Sequence, residues 1–259
     1  LNHVYDDKYD VTSYKDNENI STDYKYVNYT STPENALSGI VSQDTITVNY
    51  YYALKEATIN IKYLDELTGQ SISNEENIQT KYGVEYSSLN LDSYKKEITG
   101  YDYSKTEKTP KDITGKVNQD TTTIIHYYKK KAIITVNYYK EGTTEKLTDS
   151  DILNKYYGDN YDVSTDAYKH KSTIPNKYEY ASVNPSNEVK GTVTKDTITV
   201  NYYYKLKKAQ IIINYYKEGT TEKLADTTTL NQTYDDKYDV TSYKDNKSIS
   251  MDYRYVNYT

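Results

Sequence analysis

The stretch DTITVNYYY occupies residues 44–52 and recurs, letter for letter, at residues 196–204. A diverged copy, DTTTIIHYY, occupies residues 120–128, so the three copies are equally spaced, about 76 residues apart. Apolar and polar side chains alternate along the stretch, which predicts a β-strand with one buried face and one exposed face. In the first copy the predicted core face carries Ile46, Val48, Tyr50 and Tyr52, and the other face carries Thr45, Thr47, Asn49 and Tyr51. The stretch is therefore interpreted as the closing strand of an internal repeat.

The repeat opens with a second alternating segment, rich in the β-branched and aromatic residues that favour strands. Its core-facing residues are Ile59, Ile61 and Tyr63, then Ile134, Val136 and Tyr138, and finally Ile211, Ile213 and Tyr215. A glycine-containing turn follows, DELTG at residues 65–69 or KEGTTEKL at residues 140–147 and 217–224, and predicts a hairpin. A Tyr-x-Tyr pair then predicts a middle strand, at Tyr24 and Tyr26, Tyr101 and Tyr103, Tyr178 and Tyr180, and Tyr253 and Tyr255.

These landmarks divide the chain into four predicted segments. Two are complete repeats, residues 54–131 and 132–208, and two are partial repeats, residues 1–53 and 209–259. The period exceeds that of solenoid repeats and suits a small autonomous domain. The predicted fold class is all-β or β-rich α+β, with about four to six short strands per repeat and tandem small domains in an elongated rod. Each partial repeat lacks a core strand, so each is expected to expose an unpaired sheet edge or to be poorly ordered.

Composition excludes several classes of site. The chain has no cysteine, which removes disulfides, thiol catalysis and cysteine-based zinc sites. A net charge of −6 and a pI near 5.2 argue against nucleic-acid binding, which needs a clustered basic face. No apolar run approaches the roughly 20 residues of a membrane span, so no membrane insertion is expected in this segment.

Two features of the composition concern local structure. The basic runs KKK at residues 129–131 and KLKK at residues 205–208 fall between repeats and are predicted to be solvated linkers, with a polyanion site as the alternative. All 36 aromatic residues are tyrosines, so the core must use tyrosine where other proteins use phenylalanine. Buried phenol hydroxyls then need hydrogen-bond partners or must reach the rim of the core.

A fixed order of segments carries a family resemblance. The order is an opening ITVNYYKEGTTEKL at residues 134–147, then YGDNYDV at 157–163, a Tyr-x-Tyr strand, and the closing GTVTKDTITVNYYYK at 191–205. The preceding repeat shows the same order with INIKYLDELTGQSI at residues 59–72 and ITGYDY at 98–103. This order resembles the MucBP (mucin-binding protein) repeat of Gram-positive surface proteins, over effectively the whole chain. Departures occur at Asp23, Lys177 and Asp252, where the family has glycine before tyrosine, and at His126, which replaces the tyrosine of sister repeats.

The resemblance implies a β-grasp-like module displayed in tandem on the cell wall or cell surface of a Gram-positive bacterium, outside the cell. It implies host mucin glycoproteins or other glycans as partners and no cofactor. A monomeric rod is expected, in which tandem display multiplies weak contacts. The alternative is a passive structural stalk that projects a distal functional domain from the cell wall.

Tyrosines that alternate away from the core are the candidate ligand-binding residues. They are Tyr51, Tyr127, Tyr139, Tyr203 and Tyr216. Tyrosine offers a flat apolar ring with a polar tip, which suits stacking on a sugar ring while bonding a hydroxyl. The competing interpretation is that these residues cover the second sheet face or stabilise cross-strand pairs.

Other chemistry finds little support in the sequence. The acidic residues Asp6, Asp7 and Asp10 recur as Asp235, Asp236 and Asp239, without a pattern that predicts a catalytic pair or a calcium loop. His3 and His170 fall at positions that other repeats fill with Gln, Glu or Lys, so no shared metal or catalytic site is expected. A Lys–Asn isopeptide bond at Asn49 or Asn201 is also disfavoured, because the repeat at residues 54–131 has Ile125 at this position. The sequence therefore predicts a non-enzymatic segment without a resident metal.

Overall fold

Strands form where the alternating patterns predict them, and short helices occupy the segments between. The computed structural model describes residues 1–259 and divides them into two units, residues 1–131 and 132–259. The strands of the first unit are β1 (Lys8–Asp10), β2 (Tyr24–Thr32), β3 (Ser38–Ile40), β4 (Thr47–Leu54), β5 (Glu56–Asp65), β6 (Glu76–Lys81), β7 (Tyr101–Thr109) and the first part of β8 (Thr121–Lys140). Its 3-10 helices are Thr12–Asp16, Tyr86–Leu89 and Leu91–Tyr94.

The second unit is likewise built from strands and short helices. It contains the second part of β8, then β9 (Asp151–Tyr156), β10 (Asn160–Asp162), helix α1 (Asp166–Lys169), β11 (Tyr178–Asn184), β12 (Lys190–Thr192), β13 (Thr197–Leu206), β14 (Lys208–Tyr216) and β15 (Lys223–Thr233). Its 3-10 helices are Ser186–Glu188 and Thr241–Asp245. The prediction of a β-rich fold is thereby confirmed.

The opening and closing strands are parallel neighbours at the centre of each complete repeat. In residues 54–131 the strand order is β6-β5-β8-β7, with β5 and β8 parallel and the outer pairs antiparallel. In residues 132–208, β9 and β13 flank β8, and β11 pairs antiparallel with β13. A central parallel pair made from the first and last strands is the arrangement of a β-grasp module. The hairpins predicted after the opening strands are present, each with a glycine at positive φ, such as Gly69 at +70°.

The buried face of the central pair forms the core of each complete repeat. In residues 132–208 the fully buried side chains include Ile134, Val136, Tyr138, Val200 and Tyr202, together with Val163 and Val193 from the connecting segments. In residues 54–131 the corresponding positions hold Ile59, Ile61, Tyr63 and Ile124, with His126 in place of Tyr202, and Tyr128 is buried at the position of Tyr204. Apart from Val163 and Val193, which lie in the connecting segments, these residues lie on the face that the alternation predicts to be apolar.

Buried tyrosine hydroxyls do find partners, and several of these partners are main-chain carbonyls. Tyr63 donates to the carbonyl of Tyr94 at 2.8 Å, and Tyr128 donates to that of Lys96 at 2.7 Å. Tyr202 donates to the carbonyl of Val163 at 2.6 Å, and burial raises the pKa of Tyr202 to about 12. The hydroxyls therefore tie the connecting segments to the sheet.

A conservative substitution measures one of these bonds. We expect Tyr202→Phe to lower the free energy of unfolding of residues 132–208 by about 1–2 kcal/mol, because the buried carbonyl of Val163 loses its donor. Urea unfolding followed by circular dichroism measures the change. The neighbour Tyr203→Phe, on the opposite face, serves as the control with an expected change below about 0.5 kcal/mol. Equal effects of the two substitutions would contradict a stabilising role for the hydrogen bond between Tyr202 and Val163.

The partial repeats form two-stranded sheets in which one core strand lacks its parallel neighbour. In residues 1–53, β4 pairs with β2 alone, and in residues 209–259, β14 pairs with β15 alone. The expected unpaired edge is thus present in both segments. The middle strand predicted at Tyr253 and Tyr255 is wrong, because residues 253–259 form no strand. Its counterparts β2, β7 and β11 all pair with a closing strand, and residues 209–259 contain none.

The basic runs are part of strands, so the prediction of solvated linkers is wrong. Residues 129–131 lie in β8, where Lys129 is in register with Asp102. Residues 205–208 lie in β13 and β14, with Lys207 alone between them. Main-chain hydrogen bonding decides this outcome: the N–H of Lys207 donates to the carbonyl of Lys177 at 2.9 Å, and its own carbonyl accepts from Tyr234 at 3.0 Å. Lysine side chains tolerate such positions because their ends stay in solvent.

Candidate functional site

The outer face of the sheet in residues 132–208 carries matched pairs of side chains. The sequence ITVNYY occurs at residues 134–139 of β8 and at residues 198–203 of β13, and the two strands pair in parallel without an offset. Identical residue types therefore stand side by side. We call this surface the ladder face, and it consists of Thr135 beside Thr199, Asn137 beside Asn201, and Tyr139 beside Tyr203.

The tyrosine pair of the ladder face offers two adjoining aromatic rings. The ring centroids of Tyr139 and Tyr203 are 6.0 Å apart, and the ring planes are inclined by 30°. Both side chains are half-buried, so part of each ring remains open to solvent. Such a pair is mutually stabilising and presents an apolar surface wider than a single ring.

A row of polar side chains lies beside the rings. The Asn137 amide donates to Oδ1 of Asn201 at 2.9 Å, and the Ser150 hydroxyl donates to Oδ1 of Asn137 at 2.6 Å. The Lys146 ammonium extends the row by donating to the Ser150 hydroxyl at 2.8 Å. This amide row holds Asn137 in one orientation, and it places hydrogen-bonding groups next to an apolar surface. This row was not predicted from the sequence, although the shared ITVNYY stretch contains both asparagines.

A related row occurs in residues 209–259. The Thr227 hydroxyl donates to Oδ1 of Asn214 at 2.8 Å, and the Lys223 ammonium donates to the Thr227 hydroxyl at 2.7 Å. Tyr216 lies two residues beyond Asn214 and is 49% exposed. Without a closing strand, Tyr216 has no counterpart of Tyr203 beside it in the sheet.

The outer face of residues 54–131 has a different chemistry. Lys62 and Glu75 form an ion pair of 3.1 Å at the place of the amide row, and Ile125 stands where the next repeat has Asn201. The Lys105 ammonium lies 4.9 Å from the centre of the Tyr127 ring and also pairs with Glu107 at 2.8 Å. Burial, followed by the charge of Glu107, raises the pKa of Tyr127. Tyr127 is therefore covered by a cation, whereas the rings of the ladder face are not.

The five predicted tyrosines thus separate into three environments. Tyr139 and Tyr203 are brought together, and Tyr127 is covered by Lys105. Tyr51 is 49% exposed, and its hydroxyl lies 3.2 Å from the Thr30 hydroxyl. Tyr51 and Tyr216 both stand on the outer faces of two-stranded sheets. The ladder face is accordingly the strongest candidate site, because it combines two adjoining rings with hydrogen-bonding side chains.

The acidic residues of the turns serve local structure. Oδ1 of Asp10 accepts from the main-chain N–H of Thr12 at 2.8 Å and from its hydroxyl at 2.6 Å, and these bonds lower the pKa of Asp10. Asp239 and Thr241 repeat the arrangement. No group of three or more His, Asp or Glu side chains is placed to hold a metal ion. Asn201, the isopeptide candidate, pairs with Asn137 and not with a lysine.

His126 is a buried polar residue in the core of residues 54–131. It is 4% exposed, its Nδ1 lies 2.8 Å from the Thr106 hydroxyl, and its Nε2 has no hydrogen-bond partner. Its ring stacks on Tyr63 with centroids 5.7 Å apart. Burial, reinforced by the charge of Lys95, lowers the pKa of His126. His3 and His170 lie outside the cores, beside Asp7 and Asp166 respectively.

The fold defines a class of small β modules arranged in tandem. The MucBP domain matches residues 58–129 and 133–205, which together make up more than half of the chain. The chain therefore belongs to the MucBP domain family. No helix is both long enough and apolar enough to cross a membrane.

The chain resembles known relatives as well as solved structures. Internalin J of Listeria monocytogenes serotype 4b is 29% identical over 222 residues, which cover 81% of this chain and 22% of the relative. Internalin J of serovar 1/2a is 29% identical over 231 residues, 85% of this chain and 24% of the relative. The chain thus spans less than a quarter of the length of these relatives.

Among the solved structures that resemble the chain are a crystal structure of Mub-RV and the type 2 repeat of the mucus binding protein MUB from Lactobacillus reuteri. Each is 14% identical to this chain with a TM-score of 0.19. The first covers 58% of this chain and 99% of its own, and the second covers 56% and 98%.

Proposed function

We propose that this chain is an adhesin segment that binds mucin or other glycoconjugates through the ladder face of residues 132–208. The observation that supports the proposal most strongly is the Tyr139 and Tyr203 ring pair beside the Asn137 and Asn201 amides. Display on the surface of a Gram-positive bacterium, in monomeric form, is part of the same proposal. Membership of the MucBP family supports it.

The chemistry of the ladder face suits a sugar. The apolar C–H groups of a pyranose ring stack on tyrosine, while asparagine amides donate to and accept from hydroxyl groups. Because the Asn137 amide is already held by Asn201 and Ser150, little side-chain entropy is lost on binding. A single module binds weakly, and tandem display on a surface raises the overall affinity without any new contact. The proposed function is therefore multivalent and non-enzymatic.

Binding by the full chain tests the proposal directly. We expect the chain to bind immobilised mucin and a subset of an arrayed glycan panel, and we expect Tyr139→Ser combined with Tyr203→Ser to weaken that binding at least about tenfold, or about 1.4 kcal/mol. The matched control combines Tyr238→Ser with Tyr258→Ser, which removes two exposed tyrosines outside any strand. Circular dichroism establishes that both variants are folded.

The alternative function is a passive stalk that projects a distal domain. It is favoured by the single residue, Lys55 or Lys207, that separates consecutive strands of adjacent repeats. The same binding experiment separates the two functions. Loss of binding in the ladder-face variant alone supports the adhesin, whereas no binding by the parent chain to any mucin or glycan supports the stalk. Equal binding by both variants would move the site away from the ladder face.

A further inference from the structure

We propose that each complete repeat is a mechanical clamp, in which the parallel opening and closing strands resist tension applied along the chain. In residues 54–131, β5 and β8 are in register from Thr58 with Thr121 to Asp65 with Tyr128. In residues 132–208, β8 and β13 are in register from Ile133 with Thr197 to Lys140 with Tyr204. This role goes beyond glycan binding and does not depend on it.

Parallel pairing determines the direction in which tension acts relative to the two strands. The chain enters a repeat at the start of its opening strand and leaves it at the end of its closing strand. Because the two strands are parallel, these points lie at opposite ends of the pair. Tension then slides one strand along the other and strains the evenly spaced hydrogen bonds of the parallel ladder together. If the strands were pulled apart sideways, the same bonds would break one after another at lower force.

The junctions between repeats deliver tension directly to these strands. Within the first unit, β4 ends at Leu54 and β5 begins at Glu56. The residue between them, Lys55, donates its N–H to the carbonyl of Asp23 at 2.8 Å and accepts from the N–H of Tyr82 at 3.0 Å. Within the second unit, Lys207 makes the equivalent pair of hydrogen bonds between β13 and β14. A one-residue connection held on both sides leaves no slack to be drawn out before the strands are loaded.

Side chains on both faces reinforce the same strand pair. On the buried face of residues 132–208, the Tyr138 and Tyr202 rings stack with centroids 6.1 Å apart. On the ladder face, the Asn137 amide bonds Asn201 across the pair at 2.9 Å. Sliding by one residue would move core side chains of one strand opposite outer side chains of the other. The packing therefore opposes the motion that tension drives.

Single-molecule unfolding of the full chain under constant force tests the clamp. The chain has no cysteine, so a pair of introduced cysteines defines where the handles attach. Lys131→Cys with Lys205→Cys pulls residues 132–208 in the sliding direction, from the start of the opening strand to the end of the closing strand. Lys131→Cys with Lys195→Cys is the matched control, because both handles then lie at the same end of the strand pair and peel it open.

At equal force, we expect the folded repeat to survive at least about tenfold longer in the sliding variant than in the peeling variant, a barrier difference of about 1.4 kcal/mol. Urea unfolding without force measures the free energy of unfolding of each variant. The two lifetimes are then corrected for any difference in this free energy. Equal normalised lifetimes, or a longer lifetime in the peeling variant, would overturn the clamp. The experiment contains no glycan, so its result is independent of whether the ladder face binds one.

Discussion

Tyr138→Ala is expected to cost residues 132–208 about 3–5 kcal/mol of folding free energy, the range for truncating a large aromatic residue in a core. Tyr138 is fully buried and stacks on Tyr202, and its hydroxyl donates to Oδ2 of Asp151 at 2.5 Å. A module of this size has a total stability of roughly 4–10 kcal/mol. The loss therefore brings the repeat close to unfolding.

The substitution also removes polar interactions of Tyr138, in addition to creating a cavity. The Lys171 ammonium pairs with Asp151 at 2.6 Å and lies 4.6 Å from the Tyr138 ring. Burial opposes ionisation of Asp151, but hydrogen bonds from Lys171 and Tyr138 outweigh it and lower the pKa of this carboxyl. Without the tyrosine, Asp151 keeps its charge and loses one of these bonds. Tyr138 thus links the opening strand, the following hairpin strand and the segment after α1.

Hydrogen exchange read by mass spectrometry provides the measurement, because it reports on each repeat separately. We expect Tyr138→Ala to abolish protection across residues 132–208 while residues 54–131 keep theirs. The control is Tyr216→Ala, at a tyrosine that is 49% exposed. A loss below about 1 kcal/mol for Tyr138→Ala would show that the core tolerates a large cavity and that Tyr138 is not closely packed.

Acid is expected to destabilise residues 54–131 selectively, through His126. Burial holds the pKa of His126 below its ordinary value of 6.5, so the unfolded state binds a proton that the folded state resists. The free energy of unfolding is therefore not reduced by His126 above about pH 6.5. It decreases as the pH falls from there toward the lowered pKa of the folded state. Lys95 and Lys108 add to the lowering, and Asp92 opposes it. In residues 132–208 the equivalent position is Tyr202, which does not titrate in this range.

His126→Tyr tests the origin of the acid sensitivity. The substitution removes a buried nitrogen without a partner, and such a group costs about 1–3 kcal/mol. We expect the variant to gain stability of that order and to lose the dependence on pH between about 7 and 5 in residues 54–131. Urea midpoints measured across this pH range, with the parent chain as control, give the comparison. An unchanged pH dependence in the variant would assign the effect to other groups.

Much of the fold was predictable because the alternation of residues is strong. The core faces of the opening and closing strands, the hairpins and the requirement for hydroxyl partners all follow from period-two patterns and turn chemistry. The prediction of a middle strand at Tyr253 and Tyr255 failed because a strand needs a partner to pair with, and a local sequence pattern does not supply one. The prediction that the basic runs are linkers failed because it rested on charge alone. Main-chain pairing places these lysines in strands, and their charged ends still reach solvent.

The candidate site was predictable only as a set of residue types. Alternation identified Tyr51, Tyr127, Tyr139, Tyr203 and Tyr216 as outward-facing. It did not distinguish Tyr127, which lies under Lys105, from Tyr139, which lies beside Tyr203. The amide row was missed as well, because Ser150 and Asn137 meet only after the hairpin has formed.

The sequence by itself determined that this protein is a tandem array of small β modules with tyrosine cores, because strand periodicity and the repeated stretch are local properties of the chain. Tertiary structure alone decided that the two ITVNYY strands lie parallel and in register. That pairing joins residues far apart in the chain, and its register is selected by the packing of both buried faces together. It determines both which tyrosines share a surface and the direction in which the strands resist tension.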